Sequence, residues 1–211
     1  TLDEMYPFAQ SIFPEVAYKE TEESMEKIFD EFMRGKKAIF WKKEKTLQNL
    51  SKSREKIKKD RDLERISAVA DMQFGKNASK ALFDGKIRIV KSKKTGKIRN
   101  IYCNEKHILS MRAGDGLFTL KINGAKMLHN FFKYPKLRVI VQEDAAPFVK
   151  DGKSVFAKFV LNCDEDLRPF DECIIVDKND DLLATGRCIL NKIEMSSFKF
   201  GMAAKTREHI D

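Results

Sequence analysis

The sequence predicts an α+β fold, with helices in the first third of the chain and short strands in the remainder. Apolar residues recur at helical spacing between residues 19 and 35. Basic and β-branched residues alternate between residues 86 and 99, which is typical of strands with one buried and one exposed face. Beyond residue 136, five or six short apolar runs separated by turn residues favour a small barrel.

The first of three predicted domains, residues 1–70, is mainly helical. Thr21 is expected to cap its first helix, Gly35 to end it, and residues 38–41 to form an apolar strand or turn. Residues 42–65 carry ten basic and five acidic residues, and apolar spacing beyond them indicates a second, partly exposed helix. For its basic surface, binding of a polyanion and simple solvation both remain open.

The second domain, residues 71–136, is a small α+β unit. A glycine-containing loop and a short apolar segment are predicted first. A basic hairpin at residues 86–100, strands at 108–112 and 117–122, and a helix at 124–132 follow. Asp115 lies between two glycines and is interpreted as a turn residue rather than a catalytic acid.

The third domain, residues 137–211, consists of short strands. They are predicted at 137–141, 154–160, 173–176, 182–190 and 201–206, with helical turns near 144–150 and 194–198.

Charge is distributed unevenly along the chain. The net charge is +9, but residues 138–211 hold 11 Lys and Arg against 14 Asp and Glu, whereas residues 1–137 hold 30 against 18. This asymmetry indicates a polyanionic partner. No apolar run is long enough to span a bilayer and no secretory leader is recognised, so we expect a cytoplasmic protein without a membrane partner.

The cysteines and histidines do not have the spacing of a metal site. Four cysteines occur without a C-x-x-C pair, and the three histidines lie far from them in sequence. We expect free thiols, no metal site and no cofactor in this chain. No paired carboxylates, no nucleophile with a base and no phosphate loop are found, so no catalytic residue is predicted.

The hairpin at residues 86–100 contains seven basic residues and no acidic one. Its buried face is predicted to hold Ile87, Ile89 and Ile98, and like charges are expected to face one another across the strands. A solubilising edge and a phosphate-binding surface are the two interpretations. The predicted binding residues are Lys86, Arg88, Lys91, Lys93, Lys94, Lys97 and Arg99.

Residues 138–160, 166–190 and 194–207 resemble a PUA domain, a pseudobarrel that binds structured RNA. The resemblance implies that a helix-to-strand corner and the last strand form the contact surface. The corner residues are Phe148, Lys150, Gly152, Lys153 and Ser154, and the strand contributes Gly201, Lys205 and Arg207. Phe148 is open to two interpretations, base stacking or core packing. The turn Arg168-Pro169-Phe170-Asp171 departs from the more usual Arg-Pro-Gly-Asp.

Upstream, YPFAQS (6–11), DMQFGKNASKALF (71–83), KTGKIRNIY and MRAGDGLFTL (within 94–120) are similar to the C-terminal region of archaeal tRNA-guanine transglycosylases of the archaeosine type. The paralogous archaeosine synthase shares much of that region. The resemblance implies a tRNA partner and a catalytic transglycosylase domain or subunit, which alone would hold catalytic aspartates and zinc.

The function expected from this resemblance is that of a non-catalytic tRNA-binding portion or subunit. It would position tRNA so that a D-arm guanine is exchanged for a deazaguanine by a catalytic domain elsewhere. The alternatives are the equivalent portion of archaeosine synthase and a free-standing PUA-domain RNA-binding adaptor. The oligomeric state stays open.

Overall fold

A computed structural model describes the backbone of residues 22–210 and the side chains of residues 30–35, 48, 51–52 and 56–210. The chain divides into two compact units, Thr1–Asp62 and Leu63–Asp211. The expected cap at Thr21 lies outside the described residues, and so do the side chains of Met25, Ile28 and Phe29, which belong to the apolar pattern of residues 19–35. The domain boundaries at residues 70 and 136 stay predictions.

Helix α1 spans Glu22–Phe74 without interruption. The predicted end at Gly35 and the predicted strand or turn at 38–41 are therefore wrong. One glycine in an exposed helix interior costs only about 1 kcal/mol relative to alanine, and residues 22–74 contain no proline and no second glycine. The predicted helix leading to Ile66 and Ala70 is confirmed, and both side chains are buried.

A four-stranded antiparallel sheet follows α1 and the short helix α2 (Ala78–Leu82). Its strands are β1 (Ile87–Lys91), β2 (Ile98–Cys103), β3 (Lys106–Met111) and β4 (Phe118–Leu120), in the order β1-β2-β3-β4. Helix α3 (Ile122–Phe131) packs against β3. Asp115 accepts from the backbone N–H of Leu117 at 3.0 Å and from Arg112 at 3.1 Å, as expected of a turn residue.

The last part of the chain forms a nearly closed, barrel-like sheet, and the predicted pseudobarrel is confirmed. Its strands follow the order β6-β10-β9-β8-β5-β7, and only β5 and β8 pair in parallel. The strands are β5 (Arg138–Val141), β6 (Val155–Phe156), β7 (Val160–Cys163), β8 (Glu172–Val176), β9 (Leu182–Cys188) and β10 (Met202–His209). Helices α4 (Ala146–Lys150) and α5 (Lys192–Ser197) lie between strands.

The single strand predicted over residues 154–160 is wrong in its second half. A 3-10 turn at Ala157–Phe159 separates β6 from β7. The N–H of Ala157 donates to Gly201 at 2.9 Å, and the carbonyl of Phe159 accepts from Gln142 at 2.9 Å. The turn thereby moves the chain from its pairing with β10 to its pairing with β5, and the two ends of the sheet approach each other.

Within the described residues, no helix combines the length and the apolar character that crossing a bilayer requires.

Candidate nucleic-acid interface

The first basic surface is the β1–β2 hairpin, called here the hairpin surface. The N–H of Ser92 donates to Lys97 and the N–H of Gly96 donates to Ser92, each at 2.8 Å. Gly96, in the turn of the hairpin, adopts a positive φ, +65°, which residues with a Cβ resist. Lys91 is half-buried, and the exposed basic residues are Lys86, Arg88, Lys93, Lys94, Lys97 and Arg99.

The strand register places an aromatic ring, not a cation, opposite Arg88. A bulge after Val90 makes Arg88 face Tyr102, and Arg99 has no directly opposed residue. The Arg88 guanidinium lies 4.0 Å from the Tyr102 ring centroid, and its Nε donates to Glu105 at 3.0 Å. The predicted opposition of like charges in the hairpin is therefore wrong, because the bulge shifts the pairing.

The aromatic row continues onto β3. Tyr102 lies opposite His107, and their ring centroids are 4.8 Å apart in a stacked arrangement. Burial, aided by the positive charge of Lys121, lowers the pKa of His107 below its ordinary value of 6.5. His107 is therefore mainly neutral at pH 7, and it extends the row as a flat polar surface rather than as a cation.

The second surface, called here the Gly152 corner, is the turn from α4 to β6. Gly152 has a φ of +80°, and a Cβ there would lie 3.2 Å from the His209 ring. The carbonyl of Lys153 accepts from the Thr206 hydroxyl at 2.8 Å. The corner therefore lies directly against β10, which brings together the two segments that the PUA resemblance singled out.

Exposed aromatic side chains flank this corner and β10. Phe148 is 61% exposed, so its ring lies outside the core. Phe200, next to Gly201, is 85% exposed, and Phe156 and Phe198 are about half exposed. Aromatic rings beside cations form stacking positions for unpaired bases. Lys150, Lys153 and Lys205 are exposed, Ser154 is half-buried, and Arg207 is exposed at the far end of β10.

The four-stranded sheet and the barrel meet at a charged junction. Glu172 of β8 accepts from the N–H of Leu120 at 3.1 Å, and Glu208 of β10 accepts from the N–H of Ile122 at 3.0 Å. Lys121 pairs with Glu208. Although burial opposes it, hydrogen bonds from Lys121 and Ile122 hold the pKa of Glu208 below its usual value. Two carboxylates of the barrel, Glu172 and Glu208, thus hold β4 and the start of α3 against the barrel by hydrogen bonds.

Reactive or metal-binding clusters are not found in the part of the chain that the structure describes. No group of three or more His, Cys, Asp or Glu side chains there is placed to hold a metal ion. All four cysteines are free and buried. Burial raises the pKa of Cys163 to about 11 and raises that of Cys103, so these thiols are protonated at neutral pH and are poor nucleophiles.

Two family models match adjacent segments of the chain. Residues 64–135 match the patch-forming domain C2 of tRNA-guanine transglycosylase, and residues 137–210 match the PUA domain. The chain is homologous to the C-terminal region of tRNA-guanine transglycosylases. The four-stranded sheet with its helices is therefore the C2 domain, and the barrel is the PUA domain.

Archaeal relatives named tRNA-guanine(15) transglycosylase share this region. The protein of Methanobrevibacter smithii is 43% identical over 98% of this chain and 32% of its own length. That of Thermococcus onnurineus is 47% identical over 69% of this chain and 25% of its own length. The chain spans about a third of the length of the first of these relatives.

Solved structures support the fold. A hypothetical protein of Pyrococcus horikoshii aligns with a TM-score of 0.57 and 23% identity, over 71% of this chain and 90% of its own. A conserved PUA domain protein from Thermoplasma acidophilum aligns with a TM-score of 0.51 and 18% identity, over 71% and 89%. These likenesses concern the fold alone.

The structure divides the predicted site residues between two surfaces. The hairpin surface includes β1, the outer strand of the C2 sheet, whereas β4 at the opposite edge contacts the barrel. The Gly152 corner and β10 lie on the PUA domain. Sequence reasoning missed the exposed rings of Phe156 and Phe200 and the junction residues Glu172 and Glu208. No local pattern marks them, because they become neighbours only through strand pairing.

Proposed function

We propose that this chain is the tRNA-binding, non-catalytic portion or subunit of an archaeosine-type tRNA-guanine transglycosylase. It holds folded tRNA so that a D-arm guanine reaches a catalytic domain outside this sequence, which exchanges the base for a deazaguanine. The observation that carries this proposal is the 43% identity to an archaeal tRNA-guanine(15) transglycosylase over 98% of the chain. A tRNA partner implies a cytoplasmic protein.

The geometry of the two surfaces supports a role in RNA binding. The hairpin surface supplies exposed lysines and arginines for backbone phosphates, which position RNA without specifying its sequence. The Gly152 corner and the exposed rings beside it suit an unpaired end such as the acceptor terminus, whose bases stack on aromatic side chains. The two surfaces together favour a folded RNA with both duplex and single-stranded parts.

The chemistry is assigned to the catalytic partner. No group of three His, Cys, Asp or Glu side chains among the described residues is placed to hold a zinc ion. In this proposal zinc and the catalytic carboxylates belong to the partner domain or subunit. The relatives named above are transglycosylases, which favours this role over a portion of archaeosine synthase or a free-standing adaptor.

Binding and exchange are tested separately with the purified chain. Labelled tRNA should bind at low ionic strength. If about five phosphates are neutralised, the log–log salt slope is about −3.5 to −4.5, and on the order of a hundredfold affinity is lost between about 50 and 200 mM salt. Radiolabelled guanine should not enter tRNA unless a catalytic domain is added. Absence of tRNA binding, or exchange by the chain alone, would refute the proposal.

A further inference from the structure

Three strands of the PUA domain contribute one charged residue each to a single row. Glu172 of β8 lies opposite Arg187 of β9, and Arg187 lies opposite Lys205 of β10. Directly opposed residues of antiparallel strands project from the same face of the sheet. The row therefore runs from a buried carboxylate beneath the C2 domain to an exposed ammonium group at Lys205.

This row borders a cleft where the C2 and PUA domains meet. The cavity has a volume of about 370 Å³. Strand β4 and the residue after it form one wall, and β9 and β10 form the other. The polar and charged side chains that line it are Thr119, Lys121, Arg187, Lys205, Thr206, Arg207 and Glu208.

Positive charge in the cleft exceeds negative charge. Lys121 is paired with Glu208, and Arg207 lies 3.3 Å from Glu172. In the described part of the chain, neither Arg187 nor Lys205 has a carboxylate within ion-pair distance. Like charges on directly opposed strand residues repel and destabilise the sheet. An anion bound between Arg187 and Lys205 would remove this repulsion.

Arg187 is held at the cleft by an exposed aromatic ring. Its guanidinium lies 5.1 Å from the ring centroid of Phe170. Phe170 has a φ of +76°, although it is not a glycine, and its side chain is 63% exposed. Backbone strain of this kind persists where surrounding structure enforces it and is often found at functional sites. Phe170 thus acts as a positioning residue that keeps Arg187 extended toward the cleft.

Arg207 forms an ion pair with a buried carboxylate, that of Glu172. Oε1 of Glu172 is fully buried. Among the described residues, it is the one buried side-chain nitrogen or oxygen atom that makes no hydrogen bond. It lies 3.3 Å from Arg207 and 3.8 Å from Arg112. A guanidinium has five N–H donors in a planar fork. Arg207 can therefore direct one nitrogen toward Glu172 and still offer its other N–H groups to a ligand in the cleft.

We propose that this junction cleft binds one backbone phosphate of the RNA through Arg187, Lys205 and Arg207. The inference rests on the proposed RNA-binding function: it adds Arg187 of β9 to the β10 residues Lys205 and Arg207 and assigns the three side chains one phosphate in a defined cleft. A phosphodiester carries the single negative charge and the acceptor oxygens that two guanidinium groups and an ammonium group recognise. Because the contact is to the backbone, it fixes the position of the RNA on the PUA domain, beside the C2 domain, without reading its sequence.

The test uses labelled tRNA and the full chain, with Arg187→Gln, Lys205→Gln and the double variant. Each single variant should lose about five- to tenfold in affinity, as expected for one charge-assisted hydrogen bond. Because both side chains bind the same phosphate, the double variant should lose less than the product of the two single effects. Its log–log salt slope should be flatter by about 0.7 to 0.9.

Lys133→Gln is the matched control, since it removes one exposed lysine two residues beyond the end of α3. The same helix contacts the turn after β8 through His129 and Asp180, at the far end of that strand from Glu172. The control should leave affinity unchanged. Lys205→Gln should also keep or raise the melting temperature, because it relieves repulsion; a merely structural lysine would lower it.

Two outcomes overturn the inference, and they are distinguishable. If the unmodified chain binds tRNA and both single variants bind with the same affinity and salt slope, the cleft holds no phosphate and the proposed function stands. If the unmodified chain does not bind tRNA at low ionic strength, the proposed function fails together with the inference.

Discussion

Arg138 donates from Nε to Oδ1 of Asp180 at 2.8 Å, although the arginine is only 2% exposed. Its two terminal nitrogens donate to the carbonyl oxygens of Lys136 and His129, each at 2.8 Å. His129 also lies 2.8 Å from the carbonyl oxygen of Asp180. One buried guanidinium therefore joins the end of the C2 domain to the first strand and a turn of the PUA domain.

Arg138→Lys should destabilise the chain strongly. A lysine keeps the charge but cannot reach three acceptors in different directions, so the partly buried carbonyl oxygens of Lys136 and His129 lose their donors. We expect a loss of about 2 to 3 kcal/mol in the free energy of unfolding, measured by urea denaturation. The control is Arg168→Lys at an exposed arginine that also donates to backbone carbonyls. Equal effects of the two substitutions would contradict this account of the junction.

Glu172 should make stability depend on pH. Burial raises its pKa above the ordinary 4.5, although Arg207 and Arg112 oppose the shift. Folding therefore favours the protonated carboxyl: this contribution is complete below pH 4.5 and is lost as the pH rises through the folded-state pKa. Glu172→Gln keeps an acceptor for Leu120 but cannot ionise. The stability of the variant minus that of the parent should increase as the pH rises above 4.5 and should level off once the pH has passed the folded-state pKa.

Urea denaturation of both proteins at several pH values measures this difference. Glu172→Ala serves as the contrast, because it removes the acceptor of the buried Leu120 N–H and should destabilise at every pH by about 1 to 3 kcal/mol. A difference between the Gln variant and the parent that does not change with pH would show that Glu172 does not titrate as inferred.

Lys93→Glu combined with Lys94→Glu tests the hairpin surface. Both lysines lie in the exposed turn, so the melting temperature should change little. Affinity for tRNA should fall and its salt slope should flatten, since two cations near the phosphates are replaced by repelling charges. Anisotropy titrations over a range of salt concentrations measure both quantities. Unaltered affinity would mean that the hairpin only keeps the sheet edge soluble.

Gly124 and Gly35 should respond in opposite directions to alanine. A Cβ at Gly124 in α3 would lie 2.5 Å from the carbonyl oxygen of Ile108, so Gly124→Ala should cost about 1 to 3 kcal/mol. A Cβ at Gly35 in α1 meets nothing within 4 Å, so Gly35→Ala should stabilise by about 0.5 to 1 kcal/mol. Thermal unfolding of both variants checks the signs, and stabilisation by Gly124→Ala would contradict the close packing of α3 on β3.

Phe170→Gly should separate stability from binding. Glycine adopts the positive φ without strain, which stabilises the folded state, but it also gives the unfolded chain more conformational freedom. The expected net gain in the free energy of unfolding is about 0.5 to 1 kcal/mol. The same substitution removes the ring that holds Arg187, so affinity for tRNA should fall. Melting temperature and tRNA titration should move in opposite directions; a fall in both would indicate that Phe170 is needed mainly for folding.

Local features of the fold could be predicted because they depend on residues close in sequence. The hairpin follows from alternating β-branched residues and Gly96, and the turn role of Asp115 follows from its flanking glycines. The register of β1 against β2 could not be predicted, because the bulge after Val90 depends on how Ile98 and Ile101 reach the core. Helix α1 is longer than the sequence predicts, because a single glycine at position 35 does not end a helix.

Charge distribution, periodicity and motif spacing are local properties of the chain, so the sequence alone predicts a basic first part, a PUA barrel after it, and a resemblance to the C-terminal region of transglycosylases. Which charged residues become neighbours depends on the folding of the strands. Arg187, Lys205 and Glu172 are separated by 15 or more residues in sequence and meet through the β8–β9 and β9–β10 pairings. Burial and charge balance at that junction are properties of paired strands, so the cleft proposed to bind a phosphate is not recognisable in the linear sequence.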